Sequence, residues 1–253
     1  MSLFDLKGKT ALITGASRGI GYAIATALSG AGARIVLNGR TPATLGEAAG
    51  SLRATGAIVE TAAFDVTDAA AVRTAIDDLE ASLGPIDILV NNAGIQRRAP
   101  LDQFDDNDWR ELMSTNLDSV YYVSKAIAPH MIARGRGKII NIGSVQCELA
   151  RPGIAPYTAS KGAVRNLTRG MCADWARHGI QVNAIAPGYF ATPLNKALVE
   201  DPAFDDWLRK RTPAGRWGQL EDLHGIAVLL ASGASDFMNG QTIYVDGGIT
   251  SVI

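Results

Sequence analysis

Tyr157 and Lys161 are the residues of this chain whose types and spacing most directly suggest chemistry. On a helix, side chains four residues apart lie on the same face, one turn from each other. An ammonium group beside a phenol favours the phenolate, so Lys161 is expected to lower the pKa of Tyr157 from its ordinary value of about 10. Such a pair can exchange a proton with a hydroxyl or carbonyl oxygen near neutral pH. The alternative is a packed tyrosine beside an exposed lysine, which any helix can carry.

Two other polar residues lie where they could serve the same chemistry. Ser144 follows a predicted strand, 138–142, and precedes Tyr157 by 13 residues. Ligands bind at the carboxyl edge of α/β sheets, and a connection of this length can return the chain so that the hydroxyl faces the phenol. Asn116 interrupts an apolar helical stretch, 105–134, which is expected to break near Asn116 and again at Pro129. The Asn116 amide either opens the helix and holds a water or is an ordinary satisfied buried amide.

A glycine-rich turn near the start of the chain indicates a nucleotide site. The turn, Gly15-x-x-x-Gly19-x-Gly21, lies between a predicted strand, 10–14, and a helix, and a second strand follows at 34–38. A pyrophosphate must approach the backbone closely, and a helix N-terminus offers it free N–H groups. Glycine also serves ordinary tight turns, so the strand–turn–helix–strand context carries this prediction.

The end of the second predicted strand indicates which cofactor binds. NAD-binding units usually place an acidic residue there for the ribose 2′-hydroxyl. This chain has Asn38-Gly39-Arg40 instead, and Arg18 lies in the glycine turn. A guanidinium group matches a phosphate by its forked geometry, so NADP(H) is predicted to be preferred, with NAD(H) also used. The alternative is that both arginines are simply solvated.

Two further strand ends are candidates for cofactor contact. Asp65 and Val66 follow the third predicted strand, where an aspartate could accept from an adenine amino group. Capping the next helix is the competing role, and Asp68 is an equal candidate for it. The small residues Asn92, Ala93 and Gly94 end the fourth predicted strand and suit either a flat ligand or an ordinary turn.

The composition of the 253-residue chain excludes several classes of function. It is 47% hydrophobic and 19% charged with a formal net charge of −1, which predicts a folded protein without a nucleic-acid or membrane partner. No apolar run is long enough for a membrane span. The two cysteines and three histidines lack the spacing of metal ligands, so no metal site is predicted. A cytoplasmic location is expected.

These motifs occur in one order along the chain, and together they resemble the short-chain dehydrogenase/reductase family. The motifs are Thr14-Gly15-x-x-x-Gly19-x-Gly21, Asn91-Asn92-Ala93-Gly94, Asn116, Ser144, Tyr157-x-x-x-Lys161 and Pro187-Gly188. The resemblance implies one α/β domain over residues 1–253. Its Rossmann fold would be a doubly wound parallel sheet of seven strands with helices on both faces. A helical substrate lid around residues 190–215 and a homotetramer are also implied.

The resemblance also assigns roles to particular residues. Ser144 would orient the reacting oxygen, Tyr157 would exchange the proton, and Lys161 would also bind the nicotinamide ribose, while Asn116 would hold a water that links Lys161 to solvent. The cofactor-binding residues would be Gly15, Ser17, Arg18, Gly19, Ile20, Gly21, Asn38, Arg40, Asp65, Val66, Asn92, Ala93, Gly94, Tyr157, Lys161, Pro187, Gly188 and Thr192.

Shorter segments resemble the gluconate 5-dehydrogenase branch of that family, among them Gly94-Ile95-Gln96-Arg97-Arg98 and Lys210-Arg211-Thr212-Pro213-Ala214. That branch implies interconversion of D-gluconate and 5-keto-D-gluconate. Beside Ser144 and Tyr157, a sugar acid would need a cation for its carboxylate, which Arg97 could supply, with Arg98 as a substitute. Gln146 and Glu148 could bind its hydroxyls. The alternative is that these are rim residues.

Three other functions stay open on the sequence. The same family includes 3-oxoacyl-carrier-protein reductases, which need an apolar channel and a basic patch, and other sugar or polyol dehydrogenases. A cofactor-sensing protein without catalysis belongs to a different class. Such proteins usually lack the tyrosine or the lysine, and this chain has both.

Overall fold

The computed structural model describes residues 3–192 and 195–253, and a parallel sheet lies at their centre. Within these ranges the sheet has seven strands in the order β3-β2-β1-β4-β5-β6-β7, all parallel. The strands are β1 (Thr10–Ile13), β2 (Arg34–Gly39), β3 (Val59–Ala63), β4 (Ile88–Asn91), β5 (Gly137–Ile142), β6 (Ile180–Pro187) and β7 (Thr242–Val245). The predicted doubly wound α/β fold is confirmed.

Helices cover both faces of this sheet. They are α1 (Gly19–Gly30), α2 (Pro42–Arg53), α3 (Ala69–Leu83), α4 (Asp106–Met113), α5 (Ser119–Arg134), α6 (Ala155–Trp175), α7 (Lys196–Val199), α8 (Pro202–Arg211) and α9 (His224–Ala231). Helices α1, α2 and α9 pack on one face, and α3, α5 and α6 pack on the other. Two separate layers of core therefore enclose the sheet.

The strands are apolar on both sides because each side meets helices. In β1, Leu12 faces the layer under α3, α5 and α6, whereas its neighbour Ile13 faces the layer under α1, α2 and α9. Successive strand residues point to opposite faces of a sheet. A doubly covered strand consequently has a continuous hydrophobic run, which is the pattern of a parallel sheet.

The expected helix break at Pro129 is wrong. Pro129 lies inside α5, which continues to Arg134 and ends at Gly135 in the left-handed conformation. A proline inside a helix removes one backbone hydrogen bond and costs about 3 kcal/mol or more. Buried side chains on either side of it, Ile127 and Met131, pack into the core and hold the helix in place.

The expected break near Asn116 takes the form of a π turn, not of a helix end. Residues Ser114–Asp118 form this turn between α4 and α5, and Asn116 is fully buried in it. Single π turns inside helices widen one turn by a residue and are frequent at functional sites.

Helices α7 and α8 lie within the predicted lid region, residues 190–215, although its Pro193 and Leu194 fall outside the described residues. The ring of Phe204 in α8 lies 5.6 Å from that of Tyr189 and 6.2 Å from that of Trp217. The Trp217 indole N–H also donates to Asp205 at 2.6 Å. An aromatic cluster thus joins α8 to the segment that follows β6.

The helices of the described ranges are all too short or too polar to span a membrane.

Candidate active site

A cavity of about 1430 Å³ opens at the carboxyl edge of the sheet. It runs from the glycine turn after β1, past the end of β4, to the ends of β5 and β6. The strand order reverses between β1 and β4, because the chain crosses there from one half of the sheet to the other. This switch point is where doubly wound sheets form a ligand crevice.

Tyr157, Ser144 and Lys161 meet at one end of this cavity. Tyr157 and Lys161 lie one turn apart in α6, and the Lys161 ammonium nitrogen is 5.7 Å from the centre of the Tyr157 ring. That ammonium group donates to the carbonyl of Ile142, the last residue of β5, at 2.8 Å. The Ser144 hydroxyl hydrogen-bonds the Tyr157 phenol. The connection between Ser144 and Tyr157 thus returns as expected.

Burial sets the pKa values of the catalytic pair. It raises the pKa of Tyr157 to about 12, although the Ser144 hydrogen bond opposes that shift. It lowers the pKa of Lys161 to about 8. The expectation that Lys161 brings the pKa of Tyr157 below its ordinary value is therefore wrong for this chain, because desolvation disfavours the charged form of each group. At neutral pH the phenol is protonated and the lysine is charged.

Asn116 is a satisfied buried amide. Its Oδ1 accepts from the backbone N–H of Ile95 at 2.8 Å, and its Nδ2 donates to the carbonyl of Ile95 at 3.0 Å and to the Ser160 hydroxyl at 3.3 Å. These contacts tie the segment after β4 to α6. Both amide donors are used, so the amide could hold a water only through the second lone pair of its Oδ1.

The glycine turn has the backbone geometry of an anion site. Gly15 and Gly19 have positive φ values of 60° and 61°, which side chains rarely adopt. A Cβ at Gly15 would lie 2.8 Å from the Cα of Ala93, whereas one at Gly19 would meet no protein atom. Gly19 therefore borders the open cavity. Helix α1 begins there without a side-chain cap and without an acid in its first turn, which leaves its N–H groups free for a phosphate.

Gly21 has a packing role, not a lining role. It does not border the cavity, and a Cβ there would collide with the Asn92 amide nitrogen. That nitrogen donates to the carbonyls of Thr14 and Gly15, at 2.9 Å each. The glycine turn and the end of β4 are thereby joined.

Thr14 completes this junction and is absent from the predicted site residues. Its hydroxyl oxygen accepts from the backbone N–H groups of Asn92 at 3.0 Å and Ala93 at 3.1 Å. The sequence signal for this role was the position of Thr14 as the first residue of the glycine-turn motif, directly after β1.

Two arginines border the cavity, one in the glycine turn and one directly after β2. Arg18 and Arg40 both line the cavity. Asn38 also lines it, but its amide donates to the carbonyls of Ala62 and Phe64 and so fastens β2 to β3. The positive charge at this end is thus available to a ligand.

Asp65 and Asp68 divide the two roles that the sequence left open. Asp68 caps α3 by accepting from two backbone N–H groups in its first turn. Asp65 lines the cavity, and the hydrogen bonds of Thr67 to its carboxylate hold the pKa of Asp65 below its ordinary value. The Asp65 carboxylate is consequently charged. Its place on the cavity wall agrees with the predicted hydrogen bond to the amino group of an adenine.

Most of the other predicted cofactor residues also border the cavity. They are Ser17, Ile20, Val66, Ala93, Gly94, Pro187, Gly188 and Thr192. At Gly188 a Cβ would lie 2.7 Å from the Cα of Asp246 after β7, so this position admits only glycine. The residues present therefore fit a nicotinamide dinucleotide, with a phosphate cradle at one end and the Tyr157 group at the other.

Two predicted substrate residues do not border the cavity. Arg97 does not line it, and its guanidinium group pairs with Asp108 at 3.3 Å and with Glu111 at 2.6 Å, both on α4. Glu148 does not line it either, and it binds Arg165 at 2.7 Å and the Tyr244 hydroxyl at 3.1 Å. The charges of both residues are used within the fold, so the geometry does not support the substrate contacts predicted for them.

Other side chains form the wall beyond Tyr157. Arg98, Arg151, Gln146 and Tyr189 all border the cavity. Burial and the nearby charge of Arg151 lower the pKa of Arg98, while interactions with Tyr189 and Tyr157 oppose that shift. Arg151 and Gln146 both hydrogen-bond the Tyr189 phenol. Tyr189 directly follows the Pro187-Gly188 motif and Arg151 lies in the connection between Ser144 and Tyr157, but neither side chain belongs to a recognised motif, so both were missed.

Comparison with known proteins agrees with this site. A family model described as enoyl-(acyl carrier protein) reductase matches residues 15–250. The chain is 61% identical over 248 residues to gluconate 5-dehydrogenase of Gluconobacter oxydans (strain 621H), which covers 98% of this chain and 97% of that one. It is 51% identical over 247 residues to 5-keto-D-gluconate 5-reductase of Escherichia coli (strain K12), with 98% and 97% covered.

A solved structure has the same fold over the full length. It is a gluconate 5-dehydrogenase from Burkholderia cenocepacia J2315 in complex with NADP and tartrate. The two chains are 62% identical and superpose with a TM-score of 0.98, and 100% of each is covered. With the fold, the glycine turn and the Ser144–Tyr157–Lys161 group in place, the chain belongs to the short-chain dehydrogenase/reductase family, the NAD(P)-dependent oxidoreductases of CH–OH groups.

Proposed function

We propose that this chain interconverts D-gluconate and 5-keto-D-gluconate with NADP(H). The observation that carries the proposal is the pair Arg98 and Arg151, which lines the cavity beside the Ser144–Tyr157 group. Within residues 3–192 and 195–253, neither guanidinium pairs with a carboxylate at ion-pair distance. Two close cations without a counter-ion favour an anionic ligand, and a guanidinium matches a carboxylate by its forked geometry.

The relatives support this choice of substrate. Gluconate 5-dehydrogenase and 5-keto-D-gluconate 5-reductase are named for the same sugar acid in its two oxidation states. The solved relative holds tartrate, a hydroxy acid with carboxylate groups. A hydroxy acid fits a wall that carries both guanidinium groups and the polar side chains of Gln146 and Tyr189.

The cofactor we propose is NADP(H), with NAD(H) as a weaker alternative. Arg18 in the glycine turn and Arg40 after β2 both border the cavity, and a ribose 2′-phosphate would lie at the end of β2. The solved relative is a complex with NADP. When bound, the nicotinamide supplies the acceptor or the donor of the hydride.

The residues of the chain supply the proton and the orientation. In the direction of reduction, the Ser144 hydroxyl donates to the carbonyl oxygen, and Tyr157 transfers its proton to that oxygen. The charged Lys161 stabilises the phenolate that remains. In the direction of oxidation, Tyr157 takes the proton of the alcohol, which is harder because its pKa is about 12. We expect Asn116 to act through position, since its amide joins the segment after β4 to α6.

The experiment compares neighbouring arginines. Arg98→Ala should raise the KM for 5-keto-D-gluconate about tenfold to a hundredfold, because a hydrogen bond to a charged group contributes about 1.5–3 kcal/mol. Arg97→Ala is the matched control, since its guanidinium binds α4, and should change that KM less than about threefold. The measurement is steady-state kinetics with NADPH. An unchanged KM in Arg98→Ala beside a raised one in Arg97→Ala would reverse the assignment.

The 3-oxoacyl-carrier-protein reductase alternative is disfavoured by the polar wall. An acyl chain needs an apolar channel, yet the cavity beyond Tyr157 is bordered by Arg98, Arg151 and Gln146. The kinetic panel should therefore include a 3-oxoacyl thioester, on which we expect little activity. The alternative of a cofactor-sensing protein without catalysis would gain support if NADPH bound but no carbonyl compound was reduced.

The assembly and location we propose are a cytoplasmic homotetramer with a lid formed by residues 190–215. The family usually forms tetramers, and light scattering should give a mass four times that of the chain. A monomer at micromolar concentration would contradict the assembly.

A further inference from the structure

Gln146 occupies a special position in the wall beyond Tyr157. It lies in the short 3₁₀ turn Val145–Cys147 directly after Ser144, and its backbone N–H donates to the Ser144 hydroxyl oxygen at 3.2 Å. Its side chain is only 6% exposed, yet it borders the cavity. The amide is therefore held close to the group that binds the reacting oxygen.

The side-chain amide of Gln146 keeps one polar atom that the protein leaves without a partner. Its carbonyl oxygen Oε1 is buried. In the described part of the chain no donor reaches it.

A buried acceptor without a donor is costly, and native proteins rarely leave one unpaired. The ligand that satisfies it must offer a hydrogen, which excludes a carboxylate or a ketone oxygen at this point. Arg98 and Arg151, which also border the cavity, are hydrogen-bond donors and would bind the carboxylate of the ligand. Beside these two donors, the Gln146 Oε1 is a hydrogen-bond acceptor, and a hydroxyl group of the ligand can donate to it.

We propose that Gln146 determines specificity by accepting a hydrogen bond from a substrate hydroxyl on a carbon next to the reacting carbon. The inference rests on the proposed function, because a sugar acid oxidised at C5 carries such hydroxyls on C4 and C6. A site that hydrogen-bonds a substrate hydroxyl rejects analogues that lack it more strongly than an apolar pocket rejects an added group. One of the two deoxy analogues should accordingly be a poor substrate.

The experiment measures kcat/KM for D-gluconate, 4-deoxy-D-gluconate and 6-deoxy-D-gluconate with NADP. The unaltered chain should prefer D-gluconate to one deoxy analogue by about tenfold or more. In Gln146→Met, which keeps the length of the side chain but has no amide, that preference should fall to within about threefold. Gln146→Glu keeps an acceptor and should retain more of the preference than Gln146→Met. Gln103→Met makes the same change at an exposed glutamine away from the cavity and should leave the ratio unaltered.

The two proposals can fail separately. Equal turnover of D-gluconate and both deoxy analogues by the unaltered chain would overturn the role of Gln146, whatever the variants do. A preference that persists undiminished in Gln146→Met would overturn it as well. If D-gluconate is not oxidised at all, the proposed substrate is wrong. The same ratio is then measured for the sugar acid or polyol that is oxidised and for its deoxy analogues, and it decides the role of Gln146 there.

Discussion

At the scale of single residues, the chemistry depends on a neutral phenol beside a lysine that titrates close to physiological pH. Burial raises the pKa of Tyr157 to about 12 and lowers the pKa of Lys161 to about 8. At neutral pH the phenol is therefore protonated, which is the form that donates to a ketone oxygen, and the charge of Lys161 stabilises the phenolate that remains. Ketone reduction is the direction for which Tyr157 is already in the required protonation state.

We expect the rate of ketone reduction to fall as the pH rises through about 8, since Lys161 loses its charge there. Because its pKa is lowered, the ammonium form is present below that pH and absent above it. Each pH unit beyond the bend should reduce kcat/KM about tenfold if the charge is essential. A pH–rate profile for 5-keto-D-gluconate and NADPH between roughly pH 6 and 10 measures this.

Two variants test the assignment of that bend. Lys161→Arg keeps its charge over the whole range and should shift the bend to higher pH. Tyr157→Phe should lower kcat about 10²- to 10⁴-fold while leaving NADPH binding nearly intact. A bend at the same pH in Lys161→Arg would assign the titration to another group.

Sequence reasoning found the reacting residues but not all of their neighbours. The spacing of Tyr157 and Lys161 is fixed by one helix, so it can be predicted without coordinates. The choice between Arg97 and Arg98 depends on which way two adjacent side chains turn, and α4 supplies the two acids that bind Arg97. Those partners are brought together only by the fold.

At the scale of elements, the close approach of β1, α1 and the end of β4 is the most demanding feature. The Asn92 amide bridges the carbonyls of Thr14 and Gly15, and Gly21 leaves room for it. The phosphate cradle and the strand end thus form one joined structure.

Gly21→Ala should therefore lower both stability and cofactor affinity. Its new methyl group would displace Asn92, and forcing extra volume into a packed site typically costs about 1–3 kcal/mol. Thermal unfolding and NADPH titration measure the two effects.

Gly50→Ala in α2 is the matched control. A Cβ there meets no atom within 4 Å, so this change should stabilise the helix by about 0.5–1 kcal/mol. Equal melting temperatures for the two alanine variants would contradict the packing role of Gly21.

The elements were largely predictable, because buried strands and amphipathic helices have distinct periods. The exceptions have local causes. Pro129 stays inside α5 since Ile127 and Met131 anchor that helix in the core. Thr41 precedes α2 without a side-chain cap, and Pro42 alone marks the first turn of that helix.

At the scale of the whole molecule, the parallel sheet brings the ends of distant strands to one edge. The cavity there takes residues from the ends of β1, β2, β4, β5 and β6. In the proposed function, Arg18 and Arg40 bind the cofactor's 2′-phosphate at one end of this cavity, and Arg98 and Arg151 bind the substrate carboxylate at the other.

Bound NADP should stabilise the whole molecule more than bound NAD, because we expect Arg40 to bind the additional phosphate. A ligand at a hundred times its Kd adds about 2.7 kcal/mol to the stability of the folded state. The protein's melting temperature is measured with NADP and with NAD at equal concentration. The difference between the two values should vanish or shrink in Arg40→Ala. In Arg73→Ala, which removes an exposed arginine of α3, it should persist. Equal melting temperatures with NADP and NAD in the unaltered chain would contradict the preference.

The buried amide of Asn116 connects two parts of the active site. By offering one donor and one acceptor to the backbone of Ile95, it imitates a peptide group of a neighbouring strand, and its second donor holds Ser160 of the catalytic helix. The segment after β4, which borders the cavity, and the helix that carries the proton donor are thereby mechanically coupled. A cofactor held against that segment would keep a constant separation from Tyr157 from one turnover to the next.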